Sequence, residues 1–132
     1  MPNEISVEKA KELLDGAIAQ AQELMKDPSK VLVLLEEFEK KLEDIPFAGD
    51  VIKQIKVMIS MVKDFVTKKY TNVSPKVVAT MVAAFFYVVK KKDLISDTIP
   101  VLGYADDIAV VVLALKFVEP ELNAYAAWKA NQ

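Results

Sequence analysis

The stretch that decides the fold runs from Val77 to Val89 and reads Val-Val-Ala-Thr-Met-Val-Ala-Ala-Phe-Phe-Tyr-Val-Val. It contains no charged side chain, and Thr80 is its only strongly polar residue. A helix that is apolar on every side lies either at the centre of a bundle or in a membrane. Thirteen helical residues span roughly 20 Å, short of a hydrocarbon core of ~30 Å. Because Lys76 and Lys90 bracket the stretch, we predict a buried central helix.

A second apolar segment follows at residues 108–118, directly after Asp106 and Asp107. Its β-branched residues are typical of strands, but the segment exceeds ten residues, contains Ala109 and Ala114, and starts with acids that suit a helix N-terminus. We therefore predict a helix that pairs with the first segment as an apolar hairpin. Pro120 is expected to end or kink this helix and to leave a short terminal helix over residues 121–130.

The rest of the chain predicts three further helices. Ser6 is a candidate cap for a helix over residues 6–26, and Asp27 precedes a proline that favours a helix start. Asp50 is expected to cap a third helix that reaches residue 69, and Ser74 to cap the central helix. The fold class is therefore a single all-α domain over residues 1–132, a bundle of five to six helices around the apolar hairpin.

The composition excludes several classes of function. The chain of 132 residues has no cysteine and no histidine, and all 17 of its positive charges are lysines. Thiol chemistry, the usual zinc ligands and the usual general base near neutral pH are therefore missing. Without arginine, sequence-specific nucleic-acid binding is not expected, and the chain has no glycine-rich phosphate loop. We expect a non-enzymatic protein, and the acidic N-terminus without an apolar run predicts a cytoplasmic location.

Charge is unevenly distributed along the sequence. Residues 45–92 carry nine lysines against two acids, whereas both flanking regions are acidic. Lys53, Lys56 and Lys63 share one face of the third predicted helix, opposite its apolar residues. One interpretation is a docking surface for anionic lipid head groups or another anionic partner. The alternative is a solvated face that is attracted to the acidic first helix.

The connector between the two apolar segments contains four acids, Asp93, Asp97, Asp106 and Asp107. Converging carboxylates are the oxygen ligands that Mg²⁺ and Ca²⁺ prefer, although the spacing matches no EF-hand loop. The alternative is structural. Lys90 to Lys92 would complement a helix C-terminus, and Asp106 and Asp107 a helix N-terminus.

The connector also carries a longer motif, with a turn at Pro100 and Gly103 that precedes the aspartate pair. From residue 91 to residue 107 it reads Lys-Lys-Asp-Leu-Ile-Ser-Asp-Thr-Ile-Pro-Val-Leu-Gly-Tyr-Ala-Asp-Asp. This run resembles the motif of the YkvA-like family, small bacterial proteins with a conserved domain of unknown function. Two prolines of the family pattern are replaced here, by Lys91 and Ser96, while the four acids are kept.

The likeness extends upstream and covers roughly residues 40–130, so the first helix is expected to pack on a family-like core. The resemblance implies no established activity, and the apolar pair of the family is sometimes taken for membrane segments. It makes the four acids the positions to test.

Three hypotheses for function follow. The first is an interaction or scaffold module with an unidentified protein partner, resting on the inner membrane surface through its lysines. The second is a divalent-metal site, binding or hydrolytic, at the connector aspartates, with Mg²⁺ or Ca²⁺ as the only cofactor considered. The third is a switchable hairpin whose two apolar helices leave the bundle and insert into a membrane.

Overall fold

The computed structural model describes residues 5–94 and 104–132, without the side chains of residues 92–94. The regular structure in this part of the chain is helical. The helices are α1 (Val7–Leu24), α2 (Pro28–Leu42), α3 (Gly49–Val66), α4 (Pro75–Leu94) and α5 (Ala105–Ala130). The prediction of an all-α bundle with an apolar hairpin, formed by α4 and α5, is confirmed.

Local capping explains where most of these helices begin. The Ser6 side chain accepts a hydrogen bond from the Lys9 backbone amide at 3.0 Å, and Asp27 caps α2 just before Pro28. The Ser74 hydroxyl accepts from the Val77 amide at 3.3 Å at the start of α4. The expected cap of α3 is wrong, because Ala48 is the N-cap, two residues before Asp50, and Asp50 lies inside the first turn. There its negative charge still suits the helix N-terminus.

The helix α4 is the centre of the bundle and packs against all four other helices. Its fully or nearly fully buried side chains include Met81, Phe85 and Tyr87. The ring of Phe85 lies 4.4 Å from that of Phe38 on α2, measured between centroids. Since every side of α4 has a neighbour, its uniform apolarity is explained by burial inside the protein.

The course of α5 differs from the sequence prediction. Pro120 neither ends the helix nor separates a terminal one, and α5 continues for 26 residues to Ala130. Proline removes the hydrogen bond to the carbonyl of Lys116, but both residues are exposed, so water can reach that carbonyl. Buried residues on the other side of the helix, Val118 and Leu122, keep it against the bundle. Tertiary packing therefore overrides the local preference.

The first helix packs against α4, α5 and α2, and α1 makes no contact with α3. The expectation that the lysine-rich face of the third helix is attracted to the acidic first helix is therefore wrong. The other half of that interpretation holds, since Lys53, Lys56 and Lys63 are exposed to solvent.

The proline inside α5 generates a stability prediction. Replacing Pro120 by alanine restores a backbone hydrogen bond and a good helix former at an exposed site, so we expect the free energy of unfolding to rise by about 1–3 kcal/mol. Urea unfolding measures this change. Glu119→Ala, at the exposed neighbouring position, is the control and should change stability by less than about 0.5 kcal/mol. A destabilised Pro120→Ala protein would mean that the proline geometry itself is needed for packing.

Candidate functional site

Two acids at the start of α5 are buried together against α4. The Tyr87 hydroxyl donates a hydrogen bond to Asp106 Oδ2 at 2.8 Å. Lys91 Nζ lies 3.3 Å from Asp106 Oδ2 and 3.1 Å from Asp107 Oδ2. These four residues, Tyr87, Lys91, Asp106 and Asp107, are called the hairpin ion cluster below. The cluster joins the end of α4 to the beginning of α5.

The backbone of α4 leaves the regular helical conformation between Tyr87 and Lys91, the two cluster residues on this helix. Lys90 has φ −120° and ψ 24°, outside the helical region, although the helix continues to Leu94. Lys90 Nζ lies 3.5 Å from a carboxylate oxygen of Glu37 on α2, in a pair that is about 40% exposed on both sides. Its neighbour Lys91 is only 13% exposed and turns to α5. Two adjacent lysines of α4 therefore pair with acids on two different helices, Lys90 with α2 and Lys91 with α5.

Burial dominates the electrostatics of the cluster. It raises the pKa of Asp107 to about 6, and the nearby charge of Asp106 adds to this effect while Lys91 opposes it. Burial and the hydrogen bond to Asp106 also raise the pKa of Tyr87, which therefore stays protonated and donates. The Oδ1 atoms of Asp106 and Asp107 are buried without a hydrogen-bond partner in the described part of the protein.

The predicted metal ligands are only partly placed. The structure brings Asp106 and Asp107 together, whereas Asp97, Pro100, Gly103 and the side chain of Asp93 lie outside the described residues. Over the residues that are described, no three acids are grouped as a metal site would require. The ammonium group of Lys91 supplies positive charge to both carboxylates, as a bound cation would. Binding of Mg²⁺ or Ca²⁺ stays a prediction.

The lysines that were predicted as a docking surface lie along one side of α3. Successive helical residues are rotated by about 100°, so Lys53, Lys56 and Lys63 fall within an arc of roughly 80°. All three are exposed, and none forms an ion pair with any residue that the structure describes. They are called the basic face below.

Sequence reasoning missed a second buried acid, Asp64, which lies beside the basic face. Tyr125 donates to Asp64 Oδ2 at 2.5 Å, and Lys129 Nζ lies 2.9 Å from the same oxygen. Burial opposes ionisation, but these hydrogen bonds outweigh it and lower the pKa of Asp64. The available signal was the position itself, since Asp64 is a charge among apolar residues such as Met61 and Phe65.

Three aromatic rings close the bundle around this acid. The ring centroid of Tyr70 lies 4.9 Å from that of Tyr125 and 4.9 Å from that of Trp128, and the centroids of the last two rings are 5.7 Å apart. Such pairs add to the stabilisation that comes from burial. They hold the end of α5, and with it Lys129, against the end of α3.

A separate cleft of about 1,030 Å³ lies between α1 and the start of α4 and has a mostly apolar lining that includes Phe65 and the exposed ring of Phe117. Phe65 and Lys63 are two positions apart, so they point to opposite sides of α3. The apolar cleft is therefore not part of the basic face.

Fold and site together define a small helical bundle whose central hairpin is closed by buried charges. In residues 5–94 and 104–132, none of the helices combines the length and apolarity needed to span a bilayer.

Residues 77–113, which contain the whole hairpin ion cluster, match the family model described as "Protein of unknown function (DUF1232)". The "Uncharacterized membrane protein YkvA" of Bacillus subtilis (strain 168) is 32% identical over 78 residues, which cover 59% of this chain and 74% of that protein. The chain belongs to this YkvA-like family. No solved structure matches it.

The contrast between the two neighbouring lysines can be tested. Lys91→Gln leaves two buried carboxylates without their cation, so we expect a loss of about 3–5 kcal/mol in the free energy of unfolding at neutral pH. Lys90→Gln removes only a half-exposed pair and should cost less than about 1 kcal/mol. Urea unfolding of both proteins provides the comparison. Equal losses would contradict the central role of Lys91 in the cluster.

The raised pKa of Asp107 predicts a pH dependence. Its value of about 6 in the folded protein exceeds the ~3.9 of an unfolded chain, so the native state binds the proton more tightly. The stabilisation linked to this proton is complete below pH ~4 and is lost as pH rises through ~6, with a total on the order of 3 kcal/mol. The variant Asp107→Asn should therefore lose less stability than the wild type between these two pH values.

Urea unfolding at several pH values measures that difference. Asp44→Asn, which removes an exposed carboxylate, is the control and should keep the pH dependence of the wild type. A parallel profile for Asp107→Asn would show that Asp107 carries no such linkage.

Proposed function

We propose that the chain is a non-enzymatic helical module that rests on the inner surface of a membrane and binds anionic lipid head groups through its basic face. The observation that carries this proposal is the arrangement of Lys53, Lys56 and Lys63, which are exposed, aligned and without an acidic partner among the described residues. Their charge is therefore available to a ligand.

The geometry suits a flat anionic surface. The three lysines lie within one narrow arc and extend over about 15 Å along α3, since a helix rises 1.5 Å per residue. Each lysine close to a membrane that contains anionic lipids contributes about 1 kcal/mol of binding. Three of them give reversible, salt-sensitive association, which is typical of a peripheral protein.

The relative and the fold give further support. The Bacillus subtilis relative is named a membrane protein, whereas no helix in the described part of this chain is able to cross a bilayer. The central helix α4 packs against all four other helices, so inserting it would first require the bundle to open. Surface contact reconciles the relative's name with these features without such an opening. The bound bundle would then present its other faces to a protein partner.

Binding to lipid vesicles tests the proposal. We expect the protein to sediment with vesicles that contain phosphatidylglycerol and not with vesicles of neutral phosphatidylcholine, and to be released at high salt. The triple variant Lys53→Gln, Lys56→Gln, Lys63→Gln should bind about 100-fold more weakly, because three contributions of about 1 kcal/mol are removed.

A second triple variant controls for net charge. Lys11→Gln, Lys30→Gln and Lys116→Gln also remove three exposed lysines, but from α1, α2 and α5, and should weaken binding by less than about fivefold. Equal effects of the two triple variants would mean that net charge alone drives binding. No binding of the wild type at low salt would refute the proposal.

The same vesicles distinguish surface binding from insertion of the hairpin. Surface binding leaves the backbone amides of Met81 to Val88 protected from hydrogen exchange, because α4 stays in the core. Loss of that protection on vesicles would instead favour the switchable hairpin.

A further inference from the structure

A lysine-rich cleft of about 440 Å³ lies between α2, α3 and the end of α5. Its volume is in the range of small-molecule sites. Four lysines line it, together with the side chains of Ser60 and Asp64. The lysines are Lys56, Lys63, Lys69 and Lys129. Two of them belong to the basic face, whereas Lys53, the third residue of that face, does not line the cleft.

Three separate segments bring these lysines together. Lys56 and Lys63 are two turns apart on α3 and therefore point the same way. Beyond α3, Lys68 adopts a left-handed φ of 66°, and the backbone amide of Lys69 donates to the Asp64 carbonyl at 2.8 Å. The chain thereby folds back on the helix end, which places Lys69 at the cleft. Lys129 arrives from α5 and is held by the Asp64 carboxylate at 2.9 Å.

The charges of the cleft do not balance. Glu39 and Asp64 are the two acids in its lining, against four lysines. Asp64 is committed to Lys129, while Lys56, Lys63 and Lys69 form no ion pair with any residue in the described ranges. Like charges that converge on a concave surface concentrate a positive potential there.

The hydrogen-bond donors of the cleft can be assigned. The ionised carboxylate of Asp64 accepts from Tyr125, which uses the single hydroxyl proton of that tyrosine. The contact of 2.5 Å between Ser60 Oγ and Tyr125 Oη then requires Ser60 to be the donor. Since the proton of Ser60 is used, the lysine ammonium groups are the side-chain donors left for a ligand.

We propose that this cleft binds a phosphate monoester dianion. Lysine binds phosphate as a point charge with three donor hydrogens. A phosphate monoester has a second pKa near ~6 and is mostly doubly charged above pH 7, whereas a phosphate diester carries one charge. A cleft in which four lysines face two acids has an excess of two positive charges and therefore favours the doubly charged monoester. The inference rests on the proposed function where the phosphate belongs to a lipid, and it then names the class of head group.

The first test compares two anionic vesicles that are matched in measured surface potential. One contains phosphatidylglycerol, a diester, and the other contains phosphatidic acid, a monoester. We expect the wild type to bind the monoester vesicles about fivefold more tightly, since one further charge near a surface changes affinity by roughly that factor. Equal binding to both vesicles would overturn a lipid ligand for the cleft.

Two single variants separate the cleft from the basic face. Lys69→Gln removes a cleft lysine outside the basic face and should abolish the preference for monoester while changing diester binding less than about twofold. Lys53→Gln removes a basic-face lysine outside the cleft and should weaken binding to both vesicles equally, so the preference for the monoester is retained. Both residues are exposed, so neither change threatens folding. A preference that survives in Lys69→Gln would overturn the proposal.

The second test titrates the protein with inorganic phosphate, without lipid and at constant ionic strength. Binding is monitored by the NMR chemical shifts of the Ser60 and Lys69 amides. Saturable shifts that Lys69→Gln abolishes support the cleft and point to a soluble phosphate source if vesicles show no preference. Absence of both phosphate binding and monoester preference overturns the inference. Diester vesicle binding by the basic face would persist in that case, so the proposed function can stand when this inference fails. Absence of binding to both vesicles would instead refute the proposed function.

Discussion

Burial of the apolar part of α4 is the constraint on which the rest of the structure depends. Each large apolar side chain that moves from water into the core contributes about 1.5–3 kcal/mol, and α4 carries such side chains on every face. One neighbouring helix can cover only one stripe, so α4 requires partners all round, and α1, α2, α3 and α5 provide them. The outer faces of these four helices are then what remains for binding. The position of the basic face on α3 follows from this arrangement, because the apolar side of α3 is used for the core.

The buried charges act at the two ends of α5. At its start, Asp106 and Asp107 are tied to Lys91 of α4, and near its end Tyr125 and Lys129 are tied to Asp64 of α3. Buried ion pairs contribute little net stability, because desolvation offsets much of their attraction. Their effect is instead to penalise other arrangements, since an aspartate left without its partner in the core is costly. We infer that the two clusters fix the length and register of α5, which is a further reason why the helix passes through Pro120 without ending.

Local sequence features predicted the elements, and tertiary contacts decided what the sequence could not. The apolar run at residues 77–89 and the caps Ser6, Asp27 and Ser74 act within a few residues, so the helices could be recognised from them. The prediction that the helix ends at Pro120 was wrong, because the core contacts on the opposite side of α5 are not visible in the local sequence. Asp106 and Asp107 could be singled out from the motif, but their partner Lys91 could not, because spacing does not say which side chain faces them across the hairpin. The contact of Asp64 with Lys129 joins residues 65 positions apart, and only the fold brings them together.

The two kinds of charge in this protein differ in what they cost the folded state. Lys53, Lys56 and Lys63 remain hydrated, so their presence costs folding little and their removal changes little in the core. The hairpin ion cluster is desolvated, and the raised pKa of Asp107 shows that its negative charge is held at an energetic cost. The requirements of folding alone would therefore explain Lys91 but not the alignment of three lysines that form no ion pair in the described part of the protein. A surface that needed only solubility would be served by mixed charges. The one-sided charge of α3 is the feature on which our proposal of an anionic partner rests.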